Sequence, residues 1–210
     1  MSSATHAYWE ADRQDLVEFL APHGPFARAM DIGCAAGRLG EALTAGRIVA
    51  ACDGIEPDPG AAARARQRYG RVIEGDLESA GQDVDWQQYD LLLMADVLEH
   101  LPDPWQALAT LHERVDPGTR LAISVPNVRH KSVLFPLLFQ GRFEYADAGI
   151  MDRTHLHFFT RSSLRRALRE AGWQLVGERL NIKKKYLRPW WPHRMLGEFL
   201  AVQCFALAQK

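Results

Sequence analysis

At 210 residues and 23.7 kDa, the chain has room for one domain and hardly for two. Hydrophobic residues at 47% and charged residues at 24% give it the make-up of a folded domain, which excludes a disordered, collagen-like or coiled-coil chain. The formal charge of -1 hides a split: residues 1–120 hold 10 Lys and Arg against 20 Asp and Glu, a net of -10, and residues 121–210 hold 15 against 6, a net of +9. The two halves are expected to meet different partners. No run of about 18 apolar residues is present, so no membrane-spanning helix is expected. Residues 1–18 lack an apolar core and carry acids, unlike a signal peptide. Cys34, Cys52 and Cys204 cannot all pair and have no metal-ligand spacing, which points to a reducing, cytoplasmic setting.

Residues 6–20 read as a helix with Leu16, Phe19 and Leu20 on one face, ended by Pro22-His23-Gly24-Pro25. Strand and helix signals then alternate: strand 26–32, a Gly-rich turn, helix 38–45, strand 47–55, an Ala- and Arg-rich helix 58–69, and a short strand 72–73. Residues 89–95 form a continuous apolar run, as suits a strand buried on both faces. Asp103, Pro104 and Gln106 read as N-cap, first-turn proline and capping-box partner of a helix reaching about Val115. Residues 121–125 are the fifth strand. This alternation predicts an α/β fold, a mostly parallel Rossmann-like sheet with helices on both faces. Residues 127–150 have no clean period and read as a lid or insertion. Thr160 caps a helix with Leu164, Ala167, Leu168 and Ala171, and Gly172 is its expected C′ residue. Residues 173–178 and 199–208 read as two last strands, with a basic, aromatic loop at 181–197 between them. The chain 1–210 is thus read as a single domain opened by an N-terminal helical segment, 1–25.

The most informative residues are Asp31-Ile32-Gly33-Cys34-Ala35-Ala36-Gly37, where a strand gives way to a helix. Gly33 and Gly37 allow a tight turn and close approach to a ligand. The G-x-G-x-x-G of a dinucleotide loop is absent, because position 35 is Ala. Asp31 would repel a pyrophosphate and suits a ligand carrying ammonium or sulfonium. Glu56 lies 23 residues beyond Gly33, where an acid commonly accepts hydrogen bonds from ribose hydroxyls. Asp76 follows Gly75 after the third strand, and Asp96 follows the fourth. Strand-end acids also cap helices or face water, so it is the ordered set of four that is specific.

On these residues the chain resembles the class I S-adenosylmethionine-dependent methyltransferases. DIGCAAG resembles the family's D/E-x-G-x-G-x-G loop, with Ala35 in place of the middle glycine. Ile55-Glu56-Pro57 resembles the ribose-binding acid and the residue that packs on adenine, and Gly75-Asp76-Leu77-Glu78 the adenine-binding turn. Residues 95–104 (ADVLEHLPDP) and 124–127 (SVPN) resemble the fourth motif and fifth strand. Residues 152–160 (DRTHLHFFT) resemble a segment of small methyltransferases from surface-polysaccharide and secondary-metabolite pathways. The resemblance spans about residues 8–180. It implies a doubly wound seven-stranded sheet with the last strand antiparallel. It also implies S-adenosylmethionine as cofactor and S-adenosylhomocysteine as product, held by Asp31, Gly33, Cys34, Gly37, Glu56, Pro57, Asp76, Leu77 and Asp96. Tyr8 and Arg13 would close over the cofactor, with Arg13 toward the methionine carboxylate; a solvated helix face is the alternative.

For the acceptor, chemistry sets the requirement. A sulfonium is a good leaving group, so an amine needs mainly positioning. An alcohol has a pKa near that of water, about 15.7, and full ionisation at pH 7 would cost roughly 11–12 kcal/mol at 1.36 per unit. A concerted base or a metal is then needed. Asp96, Glu99 and His100 have i, i+3, i+4 spacing, which places them on one side of a helical turn. His155 and His157 alternate in what reads as an extended segment, which points both to one face. His157 is expected to pack beside Phe158 and Phe159. Asp96, Glu99, His100 and His155 together resemble the metal site of small-RNA 3′-terminal methyltransferases, and also the ubiquinone-biosynthesis O-methyltransferases. That implies a divalent metal on Glu99, His100 and His155; backbone hydrogen bonding in a tight turn is the alternative.

The expected function is O-methylation of a sugar or other hydroxylated small molecule, with His155 and Asp96 catalytic. An N-methyltransferase, a nucleic-acid methyltransferase and a non-catalytic cofactor-binding protein are the alternatives. No separate nucleic-acid-binding module is present. Lys183, Lys184, Lys185, Arg188 and Arg194, with Tyr186, Trp190 and Trp191, suit a phosphate-bearing or lipid-linked acceptor, or peripheral membrane contact. The alternative is a solvated surface loop.

Overall fold

The computed structural model describes residues 13–183, 186 and 193–210. Seven strands form one mixed sheet in the order β3-β2-β1-β4-β5-β7-β6, with the last strand antiparallel. The described residues divide into two compact units. One comprises the described residues through Ala95 with Glu113–Ala122 and Gln209–Lys210; the other comprises Asp96–His112 and Ile123–Ala208.

The first unit carries α1 (Gln14–Leu20), β1 (Phe26–Ile32), α2 (Arg38–Ala45), β2 (Val49–Glu56), α3 (Pro59–Ala65), β3 (Val72–Glu74), α4 (Leu77–Ala80) and β4 (Leu91–Ala95). β1 pairs in parallel with β2 and with β4, and β2 with β3. Leu91, Leu92, Leu93 and Met94 are all fully buried, which explains the unbroken apolar run. Leu16, Leu20, Met30, Ile32, Leu43 and Ile55 complete this core. A buried carboxylate in β2 has partners: Arg28 meets Asp53 at 2.7 Å, and the Tyr89 hydroxyl donates to it at 2.8 Å.

In the second unit α5 (Pro104–Arg114), α6 (Lys131–Gln140), α7 (Arg161–Glu170) and α8 (His193–Leu200) accompany β6 (Gln174–Ile182), β7 (Ala201–Gln209) and most of β5 (Arg120–Pro126). Thr160 caps α7 in a capping box with Ser163, and Gly172 follows it with φ +92°. The Asn127 amide donates to the carbonyls of Glu198 and Ala201, tying the end of β5 to the start of β7.

Four sequence expectations need correction. Residues 127–150 contain a helix, α6, which the pattern hid because its apolar residues point all round and Pro136 lies inside it. The second αβ helix stops at Ala65, and turns carry the chain on to Tyr69. The last strand starts at Ala201, because Phe199 and Leu200 close α8; residues 181–182 and 193–197 are likewise strand and helix, not loop. Asp103 does cap α5, but the Gln106 side chain bonds to Thr110 and does not reach back. Tyr8, Lys184, Lys185, Arg188, Trp190 and Trp191 lie outside the described residues, as does the side chain of Arg194.

Candidate active site

In the first unit the loop after β1 is shaped by left-handed backbone. Gly33, Ala35 and Gly37 have φ of +69°, +49° and +79°. The Gly33 and Cys34 amides both donate to the Ile55 carbonyl, at 2.8 and 3.0 Å, which fastens the loop to the end of β2. Gly37 is required twice, by its φ and by space: a Cβ there would lie 3.1 Å from Tyr69. Ala35 accepts a conformation that costs a non-glycine residue about 1–2 kcal/mol. Its amide is held by the Glu56 carboxylate at 2.8 Å.

Glu56 is buried at the end of β2. Its other oxygen accepts from the Asp58 amide at 2.9 Å, so each oxygen keeps lone-pair capacity for a further donor. Burial raises its pKa, and these two amides oppose the shift. Asp31 is also buried, and accepts from the Tyr69 hydroxyl at 2.6 Å. Burial pushes its pKa up to about 7; the Tyr69 hydrogen bond opposes this, the charge of Glu56 adds to it, and Arg13 opposes it. Arg13 therefore acts electrostatically on Asp31 while its Nε donates to Asp15 at 3.2 Å. The Asp76 carboxylate caps α4 through the Ser79 amide (2.8 Å) and hydroxyl (2.7 Å), bonds that lower its pKa. Pro57 is exposed and Leu77 half-buried. The Cys34 thiol is turned into the core, so tightly that a Cβ on Gly54 would lie 2.5 Å from its sulfur. Burial raises that thiol's pKa far above the ordinary range, so it is inert; only its backbone serves the loop.

In the second unit Asp96 has φ +57°. Its amide meets the Ser124 carbonyl at 3.0 Å and hydroxyl at 3.1 Å. Its carboxylate accepts from Ser124 Oγ at 2.9 Å and from Gln203 Nε2 at 2.7 and 2.9 Å. Asn181 in turn donates to Gln203 at 3.0 Å. A single helical turn does not run from Asp96 to His100: the turn spans only Leu98–His100. Glu99, His100 and His155 do converge, each with a ligating atom within 4.8 Å of the others, and the two imidazoles meet edge to face at 4.8 Å. Glu99 is 1% exposed and His155 9%.

The two rings are oriented alike. His100 Nδ1 lies 3.1 Å from the Thr154 carbonyl, and His155 Nδ1 lies 3.0 Å from that of Ile150. A carbonyl only accepts, so Nδ1 is the donor in each ring, and in the neutral form of either ring the lone pair lies on Nε2. Burial lowers the His100 pKa, against its Thr154 hydrogen bond, and favours that neutral form. Residues 152–157 are not extended. Thr154 turns on the Asp152 carboxylate through its amide (2.8 Å) and hydroxyl (2.7 Å), and the amides of Leu156 and His157 bind the Glu99 carbonyl. Hence His157 does not accompany His155; it stacks edge-on against Trp105, with Nε2 at 3.2 Å from the Pro102 carbonyl.

The sequence shows no sign of Tyr69 or Gln203 as site residues, and marks Ser124 only as the start of SVPN. Tyr69 lies in the turns after a helix and the other two on strands, and only the fold brings each to a motif acid.

A family profile described as "Methyltransferase domain" matches residues 6–178. The chain belongs to this methyltransferase family. It is 31% identical over 150 residues to the ubiquinone biosynthesis O-methyltransferase of Aromatoleum aromaticum, across 69% of this chain and 63% of the relative. With the enzyme of the same name from Bordetella avium the identity is 30% over 178 residues, 80% of this chain and 70% of the relative. The chain thus spans about two thirds of the length of these relatives. Among solved structures, the N-methyltransferase NodS of Bradyrhizobium japonicum in complex with S-adenosylhomocysteine superposes with a TM-score of 0.63. It is 16% identical, with 99% of this chain and 96% of that one covered. The family makes this chain an S-adenosylmethionine-dependent methyltransferase.

Proposed function

We propose that this methyltransferase acts on a hydroxyl of a small molecule, a sugar or a similarly hydroxylated metabolite bearing an anionic group, with His155 as the base. The similarity to O-methyltransferases supports the hydroxyl, and the +9 second half supports the anionic group. The observation that carries the base is the pair of oriented imidazoles. His155 Nδ1–H is committed to the Ile150 carbonyl, so its Nε2 can accept a proton. His100 and Glu99 beside it supply further acceptors for the imidazolium so formed. S-Adenosylmethionine supplies an electrophilic methyl on sulfur. His155 Nε2 would take the acceptor's hydroxyl proton as the O–CH3 bond replaced the S–CH3 bond, which would leave S-adenosylhomocysteine and the methyl ether.

On this reading Asp31, the backbone at Gly33, Cys34 and Gly37, Glu56, Pro57, Asp76, Leu77 and Arg13 hold the cofactor. Asp31 faces the ammonium and Glu56 the ribose. Asp96, fixed by Ser124 and Gln203, positions the turn that carries Glu99 and His100.

A divalent metal is a second reading, favoured by the same cluster. Two Nε2 atoms and a carboxylate are a sound donor set, and carbonyl-bound Nδ1–H groups are the usual support for metal-ligating histidines. Zn–N bonds of about 2.1 Å imply ligand atoms roughly 3.4 Å apart, so atoms up to 4.8 Å apart would have to draw in by as much as about 1.4 Å. A bound ion at Glu99, His100 and His155 would lower the pKa of the acceptor hydroxyl as a Lewis acid.

The test is S-adenosylhomocysteine release with sugar phosphates, phenols and amines, with and without chelator, for wild type and Glu99→Ala. Turnover with hydroxyl acceptors that survives chelation supports the His155 base. Loss with chelator, matched by Glu99→Ala, selects the metal reading. Turnover with amines alone overturns the hydroxyl proposal.

A further inference from the structure

Helix α6 presents apolar side chains to solvent. Leu138 is 69% exposed, Phe139 78% and Phe135 54%, and Phe143 and Tyr145 extend the surface just beyond the helix. Only Val133 of this helix is buried. Phe135 and Phe139 stack edge to face at 5.9 Å on the helix, and Phe143 and Tyr145 at 6.2 Å just after it, so each cluster is aromatic. Solvated apolar surface of this kind marks a contact with something apolar.

Charge says what that is. Lys131 opens the helix and Arg142 follows its end. Lys131 and Lys183 both act electrostatically on His130 at the helix N-cap, so cations gather there. The nearby acids Glu144 and Asp147 each sit beside an arginine, Arg142 at 3.9 Å and Arg153 at 2.9 Å. An apolar, aromatic surface with an excess of cations at the N-terminal end of the helix matches an anionic bilayer, with rings among the headgroups and ammonium groups on the phosphates. Self-pairing does not match. Laying α6 on a second α6 sets Lys131 against Lys131 if parallel, and against the Arg142–Glu144 pair, which carries no net charge, if antiparallel. Ten residues span about 15 Å, half the hydrocarbon thickness, so the helix would lie on the membrane and not cross it.

We propose that α6 with Phe143 and Tyr145 is a peripheral docking surface for an anionic lipid bilayer. The proposal does not depend on the chemistry assigned to His155, because its test reads binding and not turnover.

The test is sedimentation of the full chain with phosphatidylcholine vesicles, with and without phosphatidylglycerol. Wild type should partition to the phosphatidylglycerol vesicles. Leu138→Ser/Phe139→Ser, with unchanged circular dichroism because both side chains are exposed, should lose on the order of a hundredfold in partitioning. Lys131→Glu should lose on the order of tenfold on anionic vesicles alone. Equal partitioning of wild type and the double variant overturns the proposal. So does a wild-type dimer by sedimentation velocity that Leu138→Ser/Phe139→Ser converts to monomer without vesicle binding by either.

Discussion

Replacing Asp31 with Asn should stabilise the free protein while removing its affinity for the cofactor. In the folded chain the Asp31 pKa is pushed up to about 7 by burial, against the pull of the Tyr69 hydroxyl. In the unfolded chain it is about 3.9. The folded state therefore holds this proton more tightly. The stability it contributes is complete below about pH 4, declines as the unfolded chain ionises, and is gone once pH passes about 7. A difference of about three units at 1.36 kcal/mol each sets a ceiling of about 4 kcal/mol for the cost of an ionised Asp31 at pH 8.5. Asn keeps the shape and still accepts from Tyr69, but never ionises. Urea unfolding should find Asp31→Asn more stable than wild type by about 2–4 kcal/mol at pH 8.5, with the gap closing by about 1.4 kcal/mol per pH unit below 7. Calorimetry should find no S-adenosylhomocysteine binding by the same variant. A stability gap independent of pH, or a variant less stable than wild type at pH 8.5, would refute the reasoning.

Three further outcomes follow from the same structure. Wild-type affinity for S-adenosylhomocysteine should rise with pH up to about 7, by at most about tenfold per unit, as Asp31 becomes the anion that meets the ammonium; titration calorimetry across pH 5.5–8 reads this. Gln203→Leu removes the amide that holds both Asp96 oxygens and should cost about 1–3 kcal/mol of stability in urea. If the second half meets an anionic acceptor, its KM should rise as the Debye length shortens from about 30 Å at 0.01 M salt to about 8 Å at 0.15 M; a KM insensitive both to salt and to Lys183/Lys184/Lys185→Ala leaves only a surface loop.

The alternating half of the fold was legible because parallel strands under helices leave a sequence record: the apolar run ending in Ala95, and acids and glycines where strands end. The places of Asp31 and Glu56 were legible for the same reason, since they stand at the ends of β1 and β2. Their partners were not. Tyr69 reaches Asp31 across 38 positions and Gln203 reaches Asp96 across 107, and no local pattern encodes such a meeting. Helix α6 escaped because a helix apolar on every side has no period to read. The histidine pair was half legible: spacing grouped His100 with Glu99, and the family resemblance added His155 to them, but the Asx turn at Asp152 parts His157 from His155.

His155 is proposed to move the proton and not to hold the cofactor. Turnover and cofactor affinity of His155→Ala, measured on one preparation by S-adenosylhomocysteine formation and by calorimetry, separate the two roles. The kcat should fall by about 10²–10⁴ with S-adenosylhomocysteine affinity unchanged. Wild-type turnover in His155→Ala, or a loss explained entirely by weaker cofactor binding, would overturn this role.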